Sequence, residues 1–356
     1  MKKRWKVLYV VMTQIGTSTI ALGQNVKVTP IGQRTGEFCA QDRAILFEDP
    51  TGVRLLYDPG NTVAGGTDPR LGEVHVILIS HAHVDHLGNA KLNQDPDSSH
   101  ASCSSATTAP APNSNTAEIA SAKLSAVVAG GPLAGFIGRL IAAVGGSTTA
   151  GCPGVGLTNE MTVPRTAPCM AGLGIGAKRT VRHVSASRGV QISGVIAHHT
   201  NEISSAFLAE PERTNLSSNG LGAYVGLANG FVVTFTNGLK VYLSGDTGLS
   251  SDMSTIVREY FGVNLAVINI GDVFTTGAEE AAFAVRELIR PVSVIPSHVN
   301  EAATQSGTAV AGSRTARFLD LLRPNVGPGS SVFLPLSGVT MEFNSNGQCE
   351  VGCQGR

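Results

Sequence analysis

The hydrophobic and polar positions of the first part of the chain form short apolar runs separated by turn-forming residues. "AILFE" at 44–48 and "VRLLYD" at 53–58 flank "DPTG", which predicts a β-hairpin. "EVHVILIS" at 73–80 is almost continuously apolar, which is typical of a strand buried on both faces of a sheet. This pattern predicts a sheet whose last strand delivers polar residues to a loop at its carboxyl end.

The part of the chain after residue 188 again alternates strands with helices. The strand-like runs are "GVQISGVIAHH", "GAYVGLANGFVVTFTNGLKVYLSGDTG" and "LAVINIG", and the Asn-Gly pairs at 229–230 and 237–238 predict hairpin turns. The helical runs are 251–261, 276–290 and 313–322. Thr276 and Glu279 have the spacing of a capping box at the start of the second run. Two similar rounds of strands and helices predict two stacked sheets with helices outside them.

Residues 91–180 differ in character from the regular parts of the chain. The stretches 97–115 and 150–176 are rich in turn-forming and small residues, which predicts loops. Between them, 116–129 and 130–146 have the composition of two helices. A long irregular stretch inside a compact domain indicates a lid over a functional site or a variable insertion.

The first 23 residues combine a basic start, an apolar stretch and the small-residue sequence "ALG", which indicates a secretory signal peptide. Thr, Gln and Ser dilute the apolar stretch, so an uncleaved cytoplasmic amino terminus is the alternative. We expect 24–356 to form a single domain that is secreted or periplasmic. No later run of 18 apolar residues is uninterrupted by charge, so the mature chain is not expected to enter a membrane.

The six cysteines include no Cys-x-x-Cys pair, and an even count in an exported chain predicts disulfides. Cys349 can pair with Cys353 within "CEVGC", and Cys152 with Cys169 across a segment rich in Pro and Gly. The sequence leaves the full connectivity open, and free buried thiols are the alternative if the chain is not exported.

The composition argues against a nucleic-acid partner. Charged residues make up 15% of the chain, the formal net charge is zero and aromatic residues make up 5%. DNA- and RNA-binding proteins need a basic surface to neutralise phosphates. The expected partner is a small-molecule substrate, while the oligomeric state is left open.

Three of the nine histidines lie within "SHAHVDHLGN", directly after the apolar run 73–80. His81, His83, Asp85 and His86 do not share one helix face, but they can converge on a tight loop. Neutral imidazoles and carboxylates are ligands of zinc and similar divalent cations. Packing does not account for so many polar groups in six positions, so the motif predicts a metal site.

The motif "HAHVDH" resembles the HxHxDH signature of the metallo-β-lactamase superfamily. That family has further ligands downstream. This chain has a candidate for each of them at the end of an apolar strand: His198 or His199 in "GVIAHHTN", Asp246 in "VYLSGDTG" and His298 in "VSVIPSHVN". The segment 271–298 is similar to the branch related to ascorbate-6-phosphate lactonase. In that branch the context "AHHT" selects His199 over His198.

The resemblance implies an α/β fold of four layers, an αββα sandwich in which helices flank two mixed β-sheets. It also implies two divalent metal ions, with Zn²⁺ favoured and Mn²⁺ as the alternative. In the family pattern one ion is held by His81, His83 and His199, the second by Asp85, His86 and His298, and Asp246 bridges both.

The same resemblance implies a catalytic role for Asp85 and Asp246. Two neighbouring cations lower the pKa of a shared water, so that a bridging hydroxide is available near neutral pH. The Asp246 carboxylate offsets the repulsion between the cations, and Asp85 accepts the proton released when the intermediate collapses.

The expected activity is hydrolysis of an ester-like bond, with a lactone as the favoured substrate, because the bridging Asp246 argues against a true β-lactamase. A phosphodiesterase acting on a small phosphodiester is the alternative enzyme. A non-catalytic exported metal-binding protein is the alternative outside the enzymes, and the presence of all seven candidate ligands argues against it.

Other polar residues receive weaker interpretations. Asp58 and Asp272 end strands near the predicted site, where they either orient metal-bound histidines or cap turns. Glu202 and Tyr224 are candidate substrate contacts. The remaining histidines expected to be structural or exposed are His75, His100 and His183.

Overall fold

Two eight-stranded mixed sheets form the centre of the fold. The computed structural model describes residues 24–92, 103, 107–108, 114–145, 151–323 and 329–354. The predicted signal peptide and His100 lie outside the described residues.

The strands follow one another in the order β1 Val26–Pro30, β2 Ile45–Glu48, β3 Arg54–Tyr57, β4 Val76–Leu78, β5 Lys91–Leu92, β6 Thr107–Thr108, β7 Ala126–Ala129, β8 Met161–Val163, β9 Cys169–Gly172, β10 Lys178–His183, β11 Val190–Ile196, β12 Glu202–Ile203, β13 Ala223–Tyr224, β14 Asn229–Thr234, β15 Lys240–Leu243, β16 Leu265–Asn269, β17 Ser293–Ser297, β18 Thr304–Gln305, β19 Thr308–Ala309, β20 Ser331–Val332, β21 Met341–Phe343 and β22 Cys349–Val351. The helices are α1 Val84–Leu87, α2 Asn115–Lys123, α3 Gly131–Ala143, α4 Glu212–Ser218, α5 Ala278–Phe283 and α6 Arg314–Leu321, with π-helices at Met253–Phe261 and Ala284–Ile289.

The first sheet has the order β22-β21-β1-β2-β3-β4-β7-β9, and the second has the order β20-β17-β16-β15-β14-β11-β10-β8. In the first sheet β3, β4, β7 and β9 are parallel to one another and the other neighbours are antiparallel. In the second sheet β15, β16, β17 and β20 are parallel. Both sheets are therefore mixed, as predicted.

Alternation of buried side chains along the strands produces the layers. On β3, Leu55 and Tyr57 face the core between the two sheets, while Leu56 faces the opposite side, where α2 and α3 pack. On the outer face of the second sheet, Tyr242 and Ile268 pack in one core with residues of the π-helices and α6. The order helix, sheet, sheet, helix confirms the predicted four-layer α/β sandwich.

One of the two predicted Asn-Gly turns is wrong. The pair at 237–238 joins β14 to β15 as predicted, but Asn229 and Gly230 lie inside β14 and pair with β11. The Asn229 side chain is buried and donates to the Leu173 carbonyl at 2.8 Å. A Cβ atom on Gly230 would lie 3.0 Å from the Leu243 carbonyl, so close backbone packing accounts for this glycine.

The predicted helix 116–129 is correct only as far as Lys123. Leu124 adopts a left-handed conformation with φ 56° and ends α2, after which β7 is inserted between β4 and β9. The β-branched Val127 and Val128 are fully buried on opposite faces of the sheet, which favours a strand. The predicted loop 150–176 likewise contains β8 and β9, one in each sheet.

The predicted capping box lies one residue away from its observed position. Helix α5 has Gly277 as its N-cap, and Glu280 accepts the Gly277 N–H at 3.2 Å. Glu279 instead pairs with Arg317 at 2.8 Å. Thr276 donates its hydroxyl to the Asn269 carbonyl at 2.7 Å, and this contact with β16 shifts the helix start by one position.

Three disulfides are formed, Cys39–Cys103, Cys152–Cys169 and Cys349–Cys353. The latter two are the pairs that the sequence suggested. Among the described residues, no helix has the length and apolar character needed to cross a bilayer.

Candidate metal centre

The predicted metal ligands follow strands that end at one edge of the sandwich. β11 and β15 are both antiparallel to β14, so they run in the same direction, and β17 runs parallel to β15 through β16. The two sheets are joined at this edge, because the Asn229 N–H donates to the Ser80 carbonyl at 2.9 Å and the Gly245 N–H to the Tyr57 hydroxyl at 3.0 Å. The carboxyl ends of β4, β11, β15 and β17 thus meet.

Gly245 makes the turn that places Asp246. Its φ is 60°, and a Cβ atom there would lie 2.7 Å from the Asn229 carbonyl oxygen. A left-handed backbone and this close approach both require glycine. Gly245, which precedes Asp246, is therefore held in close contact with both sheets.

The histidine motif is partly extended and partly helical. His81 and Ala82 continue from the end of β4, His83 is the N-cap of the one-turn helix α1, and Asp85 and His86 lie on that turn. The side chains of His81 and His86 are buried, at 0% and 2% exposure. The sequence predicted a tight loop here. The short helix has the same effect, because it turns the side chains of His81 and His86 inward.

The imidazoles of His81, His83 and His199 form a first triad whose ligand atoms lie within 4.8 Å of one another. The Nε2 atom of His199 is 3.3 Å from Nδ1 of His83. His198 is exposed and belongs to neither triad, and its backbone N–H donates to the Thr247 hydroxyl at 3.0 Å. The geometry therefore places His199, and not His198, at the centre.

Asp85, His86 and His298 form a second triad, whose ligand atoms also lie within 4.8 Å of one another. The Nε2 atom of His298 is 3.1 Å from Oδ2 of Asp85, and that of His86 is 3.7 Å from the same oxygen. His298 has a left-handed backbone, with φ 47°.

Asp246 lies between the two triads. Its Oδ2 atom is 3.8 Å from Nε2 of His81 and 3.7 Å from Nε2 of His199, both in the first triad. The same oxygen is 3.0 Å from Nε2 of His298, and Oδ1 is 3.4 Å from Nε2 of His86, both in the second triad. One buried carboxylate thus contacts imidazoles of both groups.

The donor atoms fit metal cations. The Ser80 hydroxyl donates to Asp58 at 2.6 Å and lies 2.9 Å from Nδ1 of His81, while Nδ1 of His86 is 2.9 Å from Asp58. These contacts place the imidazole protons on Nδ1 and leave the Nε2 lone pairs facing the centre. Among the described residues, neither Nε2 atom has a hydrogen-bond partner. A buried Nε2 atom that faces carboxylates needs a proton or a cation between them, and a divalent cation can take the place of the proton.

The surroundings lower the pKa of some histidines of the cluster and raise that of another. Burial lowers the pKa of His81, and burial together with His199 lowers the pKa of His83 to about 4, so both are neutral ligands at pH 7. Burial also acts on His86, but the carboxylates of Asp246, Asp85 and Asp58 raise its pKa instead. Burial acts to raise the pKa of Asp85 and Asp246, but His86 and His298, joined by Arg43 at Asp85, together outweigh it and hold the pKa of each carboxyl well below its usual range.

Asp58 contacts the motif, which is one of the two roles that the sequence left open for it. It is 1% exposed, and its two oxygens accept from the Ser80 backbone, the Ser80 hydroxyl and His86. Asp272 does not reach the triads, because its carboxylate accepts from the adjacent Val273 N–H at 2.7 Å and lies 4.0 Å from Arg314. The strand-end position is shared by both aspartates, but only one side chain points inward.

Three supporting residues were missed by the sequence interpretation. Arg43 donates to Asp85 and to Asn300, and Asn201 accepts the Ala82 N–H at 2.9 Å. Each contact joins segments that are distant along the chain, and no local pattern around these residues signals it.

The triads open into a cavity of about 740 Å³. Its wall includes the predicted contact Glu202 but not Tyr224. Leu221 and Phe274 lie in the same wall and are 64% and 77% exposed. His75 and His183 are not part of the cavity wall and make local contacts instead. His75 accepts the Arg54 N–H at 3.0 Å, and His183 contacts Ser185 at 2.6 Å.

The fold and the paired triads define a metal-binding αββα sandwich. A protein-family model described as a beta-lactamase superfamily domain matches residues 41–298. The chain therefore belongs to the metallo-β-lactamase superfamily, and it is a metal-dependent hydrolase of that superfamily.

Relatives and solved structures agree with this assignment. A UPF0173 metal-dependent hydrolase of Cupriavidus necator is 28% identical over 306 residues, which cover 84% of this chain and 83% of that protein. A UPF0173 metal-dependent hydrolase of Methanosphaera stadtmanae is 28% identical over 251 residues, covering 70% and 77%. The structure of Igni18, a metallo hydrolase from Ignicoccus hospitalis, has the same fold, with a TM-score of 0.53 and 18% identity over 90% of this chain and 99% of that one. The narrower likeness to the ascorbate-6-phosphate lactonase branch stays a prediction.

Proposed function

We propose that the protein is an exported hydrolase with two divalent metal ions that cleaves an ester-like bond, with a lactone as the favoured substrate. The position of Asp246 carries this proposal. A carboxylate that contacts imidazoles of both triads is the group needed to hold two cations side by side. A single structural zinc site would use four ligands and would leave part of this set unused.

The first triad would hold one cation, the second triad the other, and Asp246 would bridge them. Zn²⁺ suits the imidazole-rich set, and Mn²⁺ is the alternative. Such a pair of cations lowers the pKa of water and polarises a substrate carbonyl.

The residues of the chain supply the remaining functions. Asp85 lines the cavity, and the neighbouring histidines and Arg43 keep it ionised at neutral pH. An ionised carboxylate at this place can accept the proton that the attacking oxygen loses and pass it to the departing alkoxide oxygen when the ester-like C–O bond breaks. His298 orients this carboxylate through its contact of 3.1 Å with Oδ2.

The cavity wall favours a neutral substrate over an anionic one. Among the described residues that line it there is no Lys or Arg, and Glu202 adds negative charge. Arg43 is next to Asp85, but its side chain is only 2% exposed and is already paired. Phosphate esters are usually held by Arg or Lys, whereas the exposed Leu221 and Phe274 suit an apolar group beside a neutral carbonyl.

Export is supported by the cysteines, because all six are paired. Disulfides persist in oxidising compartments and are rare in the cytosol. Intact-mass measurement of the exported protein, before and after reduction and alkylation, tests this part of the proposal. An uncleaved chain with six alkylatable thiols without reduction would contradict it.

The enzymatic part is tested by metal analysis and a panel of lactones, aryl esters, phosphodiesters and β-lactams. We expect two Zn²⁺ equivalents per chain and lactones as the best substrates. Asp246→Asn removes the bridging charge, so hydrolysis should fall by at least about 100-fold, since even partners of metal ligands contribute 10–100-fold. Asp272→Asn is the matched control, because the contacts of this exposed carboxylate in the described structure are with its own loop and with Arg314, away from both triads.

Each outcome of the panel decides between the alternatives. Activity that survives both Asp246→Asn and metal removal refutes the dinuclear mechanism. A preference for phosphodiesters over every lactone assigns the protein to the phosphodiesterases. Two bound metals without activity on any ester would support a metal-binding protein that is not an enzyme.

A further inference from the structure

Arg43 joins the two segments that carry the second triad. Its Nε and Nη2 atoms donate to Oδ2 of Asp85 at 3.2 and 3.1 Å, and Nη2 also donates to Oδ1 of Asn300 at 2.8 Å. Asp85 belongs to the histidine motif, and Asn300 lies two residues after His298. One guanidinium therefore contacts both loops from which this triad is assembled.

The guanidinium is itself held firmly. Its Nη1 atom donates to the carbonyls of Ala40 and Asp42 at 2.9 and 3.3 Å, and the side chain is 2% exposed. A buried fork with several hydrogen bonds in fixed directions loses little further freedom when it positions another group. It is therefore a rigid reference point for Asp85.

The loop that carries His298 and Asn300 needs such a rigid contact. His298 and Asn300 both have left-handed backbones, with φ 47° and 55°. Residues other than glycine adopt this conformation at a cost in free energy, and they persist there only when the surroundings hold them. The Arg43–Asn300 hydrogen bond is one such contact, and Arg314 adds a weaker one at 3.3 Å to the Val299 carbonyl.

The contacts of Arg43 are selective for one triad. Within the described part of the chain, its hydrogen bonds and ion pair reach Asp85 and Asn300 but no residue of the first triad. Loss of the guanidinium thus frees the Asp85 carboxylate and the loop of His298, while His81, His83 and His199 keep their contacts.

We propose that Arg43 is a positioning residue for the second cation, which holds the Asp85 carboxylate and the His298 loop in the arrangement that binds this ion. The inference rests on the proposed function, since it requires two cation sites. Residues that orient metal ligands typically contribute 10–100-fold to metal affinity. Arg43 contributes this factor to the second ion and leaves the first unchanged.

The test is Zn²⁺ binding by the full mature chain, titrated against a chromophoric chelator and checked by elemental analysis. The variants are Arg43→Met, which removes the fork, and Arg43→Lys, which keeps the charge without the fork. Arg70→Met is the matched control, because Arg70 pairs with Asp68 and with backbone carbonyls away from both triads.

We expect the dissociation constant of the second Zn²⁺ to rise 10–100-fold in Arg43→Met and by a smaller factor in Arg43→Lys, with the first Zn²⁺ unchanged in both. The tight first ion also reports that the variant is folded, and if Arg43→Met does not fold, Arg43→Lys alone decides. Equal weakening of both ions, or an unchanged second ion, overturns the inference. If the wild-type chain binds fewer than two ions, the proposed function fails instead, so the two failures are distinguishable.

Discussion

Replacing Asp58 should separate the stability of the fold from the affinity of the metal centre. The carboxylate accepts three hydrogen bonds, from the Ser80 N–H at 2.9 Å, the Ser80 hydroxyl at 2.6 Å and Nδ1 of His86 at 2.9 Å. It is 1% exposed, so solvent does not replace these contacts. Asp58→Ala leaves three buried donors without an acceptor, whereas Asp58→Asn keeps the shape and one acceptor oxygen.

The expected magnitudes follow from these contacts. Hydrogen bonds to a charged group contribute about 1.5–3 kcal/mol each, but their effects do not add fully. Removing one member of a buried ion pair costs about 3–5 kcal/mol, and we expect this loss in the free energy of unfolding for Asp58→Ala. Asp58→Asn should cost about 1–3 kcal/mol, because its oxygen still accepts the Ser80 N–H.

Asp58→Asn should also weaken Zn²⁺ binding at the second triad. The amide nitrogen takes the place of Oδ2 and donates to Nδ1 of His86, so the imidazole proton moves to Nε2, which faces Asp246. A protonated Nε2 atom is not a metal ligand, and the affinity should fall about 10–100-fold.

Urea unfolding of the metal-free, oxidised protein measures the first effect, and Zn²⁺ competition titration measures the second. Asp272→Asn serves as the exposed control and should change the free energy of unfolding by less than about 0.5 kcal/mol. A loss below about 1 kcal/mol for Asp58→Ala, at an unchanged denaturant slope, would show that the three hydrogen bonds do not act as described.

Two further pairs of variants test the geometry of the centre. His199→Ala should remove the metal of the first triad and abolish hydrolysis, while His198→Ala, at an exposed side chain, should bind two ions like the wild type; the opposite result in elemental analysis would exchange their roles. Gly245→Ala should lower the free energy of unfolding by at least about 1–2 kcal/mol because of its left-handed backbone. Gly248→Ala, where a Cβ atom meets nothing within 4 Å, should be neutral or slightly stabilising in the same urea titration, and equal losses at both glycines would refute the steric argument.

The convergence of the candidate metal ligands could be predicted because each follows an apolar strand. Within the run 73–80, β4 is buried on both faces, and a polar group placed soon after such a strand must lie at the sheet edge. The same reasoning was insufficient for Asp58 and Asp272, since the direction of a side chain at a strand end depends on the turn that follows. The choice of His199 over His198 required the resemblance, and the geometry agrees with it.

The segment around 116–176 could not be predicted well because its helices and strands have nearly the same amino-acid composition. Ala and Gly fill both helices and strands there, and no Gly or Pro separates α2 from β7. Leu124 ends the helix through its backbone conformation, which the sequence does not signal. Arg43 was missed for another reason: its partner Asn300 is 257 positions away in sequence, and only the packed structure brings them together.

Each triad takes ligands from both sheets: His81, His83, Asp85 and His86 follow β4, whereas His199 and His298 follow strands of the second sheet. A bound cation is therefore a cross-link between the two halves of the sandwich, and it exists only in the folded chain. By mass action, a cation present at 1,000 times its dissociation constant adds about 4 kcal/mol to the free energy of unfolding. The lifetime of this protein against proteases then depends on the free metal concentration of its surroundings as well as on its sequence.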